Sequence, residues 1–216
     1  MQGTAPFKTR AIPRGQPTAM PGAADTQNWV FYDSQTYAQA GQAQLFFFQT
    51  AVGASGRTLQ DTNFPGAGSL PAGFAFTLQE VMVNLIPGAA VLPSSFGAGV
   101  ASSYILDEYK FRKSGVLELD ISNKTYVQDA PLMRFPMDTS LDGFGAAADA
   151  TTAAAALQTL IGYAAARGRI WRANDLQIAP QVNFTVKLSW PNGVQSISAA
   201  GVAFVYMKGV LSRFVQ

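Results

Sequence analysis

Several segments of this chain alternate between apolar and polar side chains with a period of two residues. In the segment from Val182 to Ser189, the apolar residues are Val182, Phe184, Val186 and Leu188. They alternate with the polar residues Asn183, Thr185, Lys187 and Ser189. In a second, Leu117, Leu119 and Ile121 alternate with Val116, Glu118 and Asp120. Because successive side chains of a β-strand point to opposite sides of a sheet, both segments are predicted to be strands with one buried face.

A longer apolar run, from Phe74 to Ile86, changes phase in its middle. The residues Phe74, Phe76 and Leu78 precede the change and Val81, Val83 and Leu85 follow it, so the change falls at Gln79 and Glu80. Such a shift within a strand indicates a β-bulge or a bend. The loop before this run, from Asn63 to Gly73, is rich in proline and glycine. It is predicted to be a stiff turn that leads the strand into its sheet.

One segment has the composition of a helix instead. Residues 146–167 are rich in alanine, the best helix former, and Leu157, Leu160 and Ile161 follow at helical spacing. Gly168 supplies a helix stop. The pattern predicts one alanine-rich helical insertion at about 146–167.

The number of strand candidates predicts the fold class. About eight candidates are separated by turn signals such as Ser122-Asn123-Lys124 and Pro191-Asn192-Gly193. This arrangement favours a mainly β protein, a sandwich or barrel of the jelly-roll type spanning residues 29–216, with an immunoglobulin-like sandwich as the second choice.

The first 28 residues differ in composition from the rest. They contain four prolines and the basic residues Lys8, Arg10 and Arg14 against the single acid Asp25. Prolines at this density disfavour helix and central strand, so residues 1–28 are predicted to be an extended arm. A disordered tail is the default for a terminus. Three charges are too few for a strong polyphosphate binder. We therefore favour a tether, in which the three basic residues contact a neighbouring subunit or touch nucleic acid.

Composition limits the chemistry. The 216 residues include no cysteine and no histidine, which excludes disulfides, Cys/His zinc sites and Ser-His-Asp or Cys-His catalysis. Only 13% are charged, against about 25% in typical soluble domains. Either other subunits cover much of the surface, which we favour, or the exterior is polar and uncharged. Two uncharged windows, 34–56 and 81–106, are interrupted by glutamine, proline or glycine and are not predicted to cross a membrane.

One carboxylate pair invites a catalytic interpretation. Glu118 and Asp120 would share a strand face, and a glycosidase uses two such carboxylic side chains on either side of the bond that it cleaves. A solvated face near Lys110, Arg112 and Lys113 is the stronger interpretation. The sequence therefore predicts no enzyme, no catalytic or metal residues and no cofactor.

Two stretches carry short motifs in a fixed order. After the aromatic run 42–52 come Thr62-Asn63 and then Leu70-Pro71-Ala72-Gly73-Phe74. The second stretch contains a further set: Ile121, Lys124, Tyr126, Pro131 and Phe135-Pro136. Over roughly half of the chain this pattern resembles the jelly-roll capsid proteins of icosahedral bacteriophages. After the arm the chain is short for two jelly rolls, so one barrel and two compact barrels both stay open.

The resemblance implies a structural protein of the virion, made in the host cytoplasm, that tiles an icosahedral shell. Its partners would be copies of itself and other virion proteins, with weak contact to the packaged genome or an inner membrane and no small-molecule substrate. The alternative is a carbohydrate-binding or adhesin-like β-sandwich, in which exposed aromatic residues stack on sugars: Trp29, Tyr32, Trp171 and Trp190.

Overall fold

A computed structural model describes residues 23–89, 103–135, 139–147, 158–165 and 172–214, with the backbone alone in 139–147 and 158–165. It contains ten strands, one α-helix and a short 3-10 helix at Leu132–Arg134 in these ranges. The elements are β1 (Ala23–Tyr37), β2 (Gln44–Phe47), β3 (Phe74–Ile86), α1 (Ser103–Ser114), β4 (Val116–Ile121), β5 (Lys124–Pro131), β6 (Thr139–Ala147), β7 (Gln158–Ala165), β8 (Arg172–Ile178), β9 (Phe184–Ser189) and β10 (Gly201–Phe214).

Eight of the strands form two four-stranded antiparallel sheets. The first sheet has the order β1-β10-β3-β8 and the second the order β2-β9-β4-β5. The remaining two strands, β6 and β7, form a separate antiparallel hairpin. The described residues therefore form a mainly β protein with the two sheets of one β-sandwich.

The core lies between the inner faces of the two sheets. On the second sheet, the predicted alternation is confirmed: Leu117, Leu119 and Ile121 of β4 are buried, as are Phe184, Val186 and Leu188 of β9. An aromatic cluster joins the sheets by edge-on ring contacts, which involve Phe31, Phe48, Phe64, Phe76 and Phe184. Aromatic rings bury large apolar areas, so this cluster is a main source of the sandwich's stability.

The predicted irregularity in β3 is a β-bulge. The register with β10 pairs Leu78 with Gly209 and Glu80 with Lys208, so Gln79 is an extra residue. A Cβ at Gly209 would overlap the carbonyl oxygen of Thr77. Glycine is required opposite the bulge because the two backbones approach each other there.

The loop before β3 is fixed to both sheets, as the interpretation of a stiff turn requires. The Asn63 side chain accepts a hydrogen bond from the Tyr32 N–H at 2.9 Å and donates one to the Val30 carbonyl at 2.7 Å. Further along the loop, Gly68 donates to the Phe48 carbonyl, and its own carbonyl accepts from the Phe184 N–H. The Asn63 N–H also donates to the Tyr32 carbonyl, and Thr62 forms a bridge with Asp33, so the loop covers the edge of β1 in place of another strand.

The alanine-rich helix predicted at about 146–167 is wrong in the part that the structure describes. Gln158–Ala165 is a strand, paired with Thr139–Ala147. Helix propensity differs by less than about 1 kcal/mol between ordinary residues, so the hydrogen bonds of a ladder override it. Residues 148–157 and 166–171 lie outside the described residues.

The boundary of the predicted arm also changes. Strand β1 begins at Ala23, six residues before the predicted domain start, and its register with β10 runs from Ala23 opposite Phe214 to Tyr37 opposite Gly201. The last proline of the arm is Pro21, so every residue of β1 has the N–H that a ladder needs. Residues 1–22, with Lys8, Arg10 and Arg14, lie outside the described residues.

Helix α1 was not predicted from the sequence. It begins within one of the uncharged windows, and its buried positions include charged residues. Arg112, which the sequence placed on a solvated face, is buried and donates to the Val83 and Phe135 carbonyls. A helix whose inner face is partly charged lacks the apolar stripe by which amphipathic helices are identified.

Candidate interaction surface

The outer face of the first sheet is a regular grid of side chains from β1, β10 and β3. Side chains that lie directly opposite each other in an antiparallel ladder share one face. The registers of the two ladders give six rows: Thr36, Val202, Ile86; Ser34, Phe204, Asn84; Tyr32, Tyr206, Met82; Val30, Lys208, Glu80; Asn28, Val210, Thr77; and Thr26, Ser212, Ala75.

Apolar side chains occupy several positions of this outer face, among polar ones. Ile86 is 45% exposed and Val202 is 37% exposed. Further along the same face, Met82 and Val210 are buried although neither belongs to the core between the sheets. The sheet therefore has apolar side chains on both of its faces, whereas an antiparallel sheet that faces water on one side has a polar outer face.

Three aromatic rings form a continuous row on this face. Phe204 and Tyr206 stack with their ring centroids 5.8 Å apart, and Tyr32 lies 6.2 Å from Tyr206. Burial, with a smaller contribution from Tyr32, raises the pKa of the Tyr206 hydroxyl, so it is uncharged at neutral pH. The Tyr32 hydroxyl donates to the Leu59 carbonyl. The row presents ring surface and no charge.

An ion cluster crosses this face in its fourth row, between the row of Tyr206 and the row of Val210. The Glu80 carboxylate lies 3.0 Å from the Lys208 ammonium and 3.4 Å from the Arg172 guanidinium. All three residues lie next to the bulge of β3, where the strand bends. One carboxylate and two cations give the cluster a net charge of +1, so it adds a weakly basic patch to the face.

The outer face of the second sheet has a different character. Lys187 of β9 pairs with Glu118 of β4 at 2.7 Å, and Asp120 accepts from the Thr125 hydroxyl at 2.6 Å. Glu118 and Asp120 do share this face, as the alternation predicts. Each is engaged by its own neighbour, and within the described residues no group of three or more acidic side chains could hold a metal ion.

The aromatic residues considered for sugar binding do not share one exposed surface. Trp190 is buried, and its indole N–H donates to the Phe111 carbonyl at 3.0 Å. Trp29 packs against the core and contacts Phe31 edge-on. Tyr32 belongs to the outer face of the first sheet, and Trp171 lies outside the described residues. A stacking platform made of these four residues is therefore not formed in the described part of the chain.

Sequence reasoning did not single out Val202, Phe204 and Tyr206. The signal for them was present, because the segment from Ala203 to Leu211 is apolar at most of its outward as well as its inward positions. A run that is apolar at both outward and inward positions is typical of a strand that is covered on both faces.

Within the described residues, no helix is long and apolar enough to span a bilayer. Comparisons with descriptions of protein families, with curated proteins and with solved structures find no match to this chain.

Proposed function

We propose that this chain is a structural protein of a virus particle. Its sandwich is a jelly roll, and many copies assemble into an icosahedral shell. The chain has no catalytic activity, no cofactor and no small-molecule substrate in this proposal. Its partners are copies of itself and other proteins of the virion, and it is made in the cytoplasm of the host.

The observation that carries the proposal is the pairing of the eight sandwich strands. A jelly roll is a long antiparallel hairpin rolled into two sheets, so its first strand pairs with its eighth, the second with the seventh, the third with the sixth and the fourth with the fifth. With the β6–β7 hairpin set aside, the corresponding pairs here are β1 with β10, β2 with β9, β3 with β8 and β4 with β5. Jelly rolls occur in viral shells, lectins and cupins.

Composition and burial favour the shell among these three. A cupin binds its metal mainly through histidine, and the chain has none. A lectin that stacks sugars on aromatic rings needs those rings exposed, and Trp190 is buried. A shell protein needs a large surface with few charges, and 13% charged residues with exposed apolar side chains on the outer sheet face agree with that need.

We propose that the outer face of the first sheet is a contact between copies. The apolar positions Val30, Ile86 and Val202 are exposed around the row of rings. Burying them against another copy would stabilise the assembly by about 25 cal/mol for each Å² of apolar surface removed from water. The arm, with Lys8, Arg10 and Arg14, is proposed to reach a neighbouring subunit or the packaged genome.

Light scattering after size-exclusion chromatography tests this function. The full chain is expected to elute as regular assemblies with a mass many times that of one chain, in a concentration-dependent equilibrium with smaller species. A monomer at every concentration, together with specific retention on immobilised glycans, would support the carbohydrate-binding alternative instead.

A further inference from the structure

Helix α1 presents four residues to solvent along one stripe. Leu106, Tyr109, Lys110 and Lys113 are exposed, and they follow one another at intervals of three, one and three residues. Residues three and four apart lie next to each other on a helix surface, so these four side chains form one continuous strip. Tyr109 is 50% exposed, and the Lys113 ammonium lies 5.6 Å from the centre of its ring.

Both acidic residues of the helix point the other way. Asp107 is fully buried and accepts hydrogen bonds from the Ser198 N–H at 2.9 Å and the Ser198 hydroxyl at 3.1 Å. Glu108 pairs with Arg112 at 3.1 Å, on the side that faces β3. The carboxylates are therefore used to attach the helix to the sandwich, and they do not neutralise the lysines.

The lysines consequently have no carboxylate of their own helix as a partner. In the described residues, neither Lys110 nor Lys113 lies within ion-pair distance of a carboxylate. The neighbouring 3-10 helix packs on the helix end, where Leu132 is buried and its N–H donates to the Gly115 carbonyl at 2.9 Å. This short helix adds an exposed arginine, Arg134, which lies within ion-pair distance of no carboxylate in the part of the chain that the structure describes.

We propose that the stripe on α1, together with Arg134, binds single-stranded nucleic acid. Lys110, Lys113 and Arg134 contact phosphates, and Tyr109 stacks on an unpaired base. A groove that combines cations with exposed aromatic rings is how proteins bind single strands without sequence preference. None of these residues belongs to the outer face of the first sheet.

The arrangement of the stripe favours nucleic acid over an anionic lipid surface. A helix that lies in a membrane interface needs an apolar face that is separate from its charged face. Here Leu106 is followed by Lys110 one turn later, and Tyr109 by Lys113, so apolar and basic residues share one strip. Inserting that strip into lipid would bury its lysines.

Binding of a fluorescent single-stranded oligonucleotide of about 16 nucleotides, as DNA and as RNA, tests the site by anisotropy over a range of salt concentrations. Replacing both lysines, as Lys110→Gln with Lys113→Gln, is expected to reduce the slope of log affinity against log salt by about 1.4, since each single-strand phosphate contact contributes about 0.7. Tyr109→Ala is expected to weaken binding by about five-fold or more, and Tyr109→Phe to retain it.

The matched control is Lys124→Gln. Lys124 is also an exposed lysine placed over a tyrosine ring, 5.0 Å from the centre of Tyr126, but it lies at the β4–β5 turn. The control is expected to keep the slope of the unaltered chain. Circular dichroism and light scattering on every variant separate a loss of binding from a loss of fold or of assembly.

Three results would overturn the proposal. One is an unaltered chain that does not bind the oligonucleotide at about 50 mM salt. Another is a change of slope of about 0.7 for Lys124→Gln, which is half that of the double variant and would show binding to general positive charge. The third is a double variant that loses sedimentation with phosphatidylserine vesicles while keeping its oligonucleotide affinity, which would assign the stripe to lipid.

Discussion

Arg57, in the loop between β2 and β3, pairs with Asp33, a carboxylate of β1 that is only 1% exposed. The same guanidinium donates to the Ser34 carbonyl at 2.7 Å, and the Phe48 N–H donates to Asp33 at 2.5 Å. This ion pair attaches the loop to the edge of the first sheet. The Asp33 carboxylate therefore holds together residues from β1, from the end of β2 and from the loop.

Removing the guanidinium is expected to destabilise the fold. In Arg57→Ala the Asp33 carboxylate stays buried without its counter-charge, which costs about 3 kcal/mol of unfolding free energy at neutral pH. Urea denaturation measures the change, with Arg213→Ala as the control, since Arg213 is exposed and lies over the Phe74 ring. Equal effects of the two substitutions would show that the buried pair has no special role.

The pH dependence of stability has an expected sign. Burial raises the pKa of Asp33 above its ordinary value of 3.8, against the opposing effects of the Phe48 N–H and Arg57. The folded protein therefore binds this proton more readily than the unfolded chain does. The contribution of Asp33 to the unfolding free energy must then fall as the pH rises from 3.8 through the folded-state pKa.

Asp33→Asn isolates this contribution because asparagine does not titrate. Urea denaturation of both proteins between pH 3 and pH 7, the range in which a raised carboxyl pKa would fall, gives the difference between them at each pH. The stability of the unaltered chain relative to the variant is expected to decline with rising pH and then to level off. A relative stability that increases over the same interval would mean that the pKa is lowered instead.

The bulge in β3 makes its own prediction. Gly209→Ala would place a methyl group against the Thr77 carbonyl, inside a ladder that cannot widen locally. A loss of about 3 kcal/mol, or of folding, is expected from this overlap. Gly53→Ala is the control: Gly53 has a φ of +82° and open space around it, so only backbone strain of about 1 kcal/mol is expected. Equal losses would show that the overlap is relieved.

A charge on the outer face of the first sheet is expected to weaken self-association. Val202→Lys places an ammonium beside Ile86 and near the row of rings, where contact with another copy would desolvate it. Sedimentation velocity is expected to show smaller species than for the unaltered chain. Val194→Lys is the matched control, because Val194 is a similarly exposed valine outside this face. If both variants assemble normally, the contact lies elsewhere.

The strands that the sequence predicts correctly are those with one buried face. Period-two alternation located β4 and β9, and the phase change at Gln79 located the bulge, because in both cases the pattern reports directly on the side of the sheet that meets the core. The turn at Pro191-Asn192-Gly193 was also predictable, since Gly193 has a φ of +101°.

The features that were missed depend on contacts between distant segments. Gln158–Ala165 has the local composition of a helix but pairs with Thr139–Ala147. Helix α1 has Asp107 and Arg112 on its inner side. Asp107 accepts a hydrogen bond from Ser198, and Arg112 donates to two carbonyls. These partners are distant in the sequence, so no local pattern predicts them. The interaction surface was missed because β10 is apolar on both faces, and only its register with β1 and β3 separates the outer positions from the core.

Electron microscopy of the purified full chain tests the central claim most directly. Negative staining over a series of protein and salt concentrations is expected to show closed particles of uniform diameter, which Val202→Lys reduces and Val194→Lys does not. A single monodisperse monomer under all of these conditions, with no closed particle or regular oligomer, would contradict the proposal that this chain builds a viral shell.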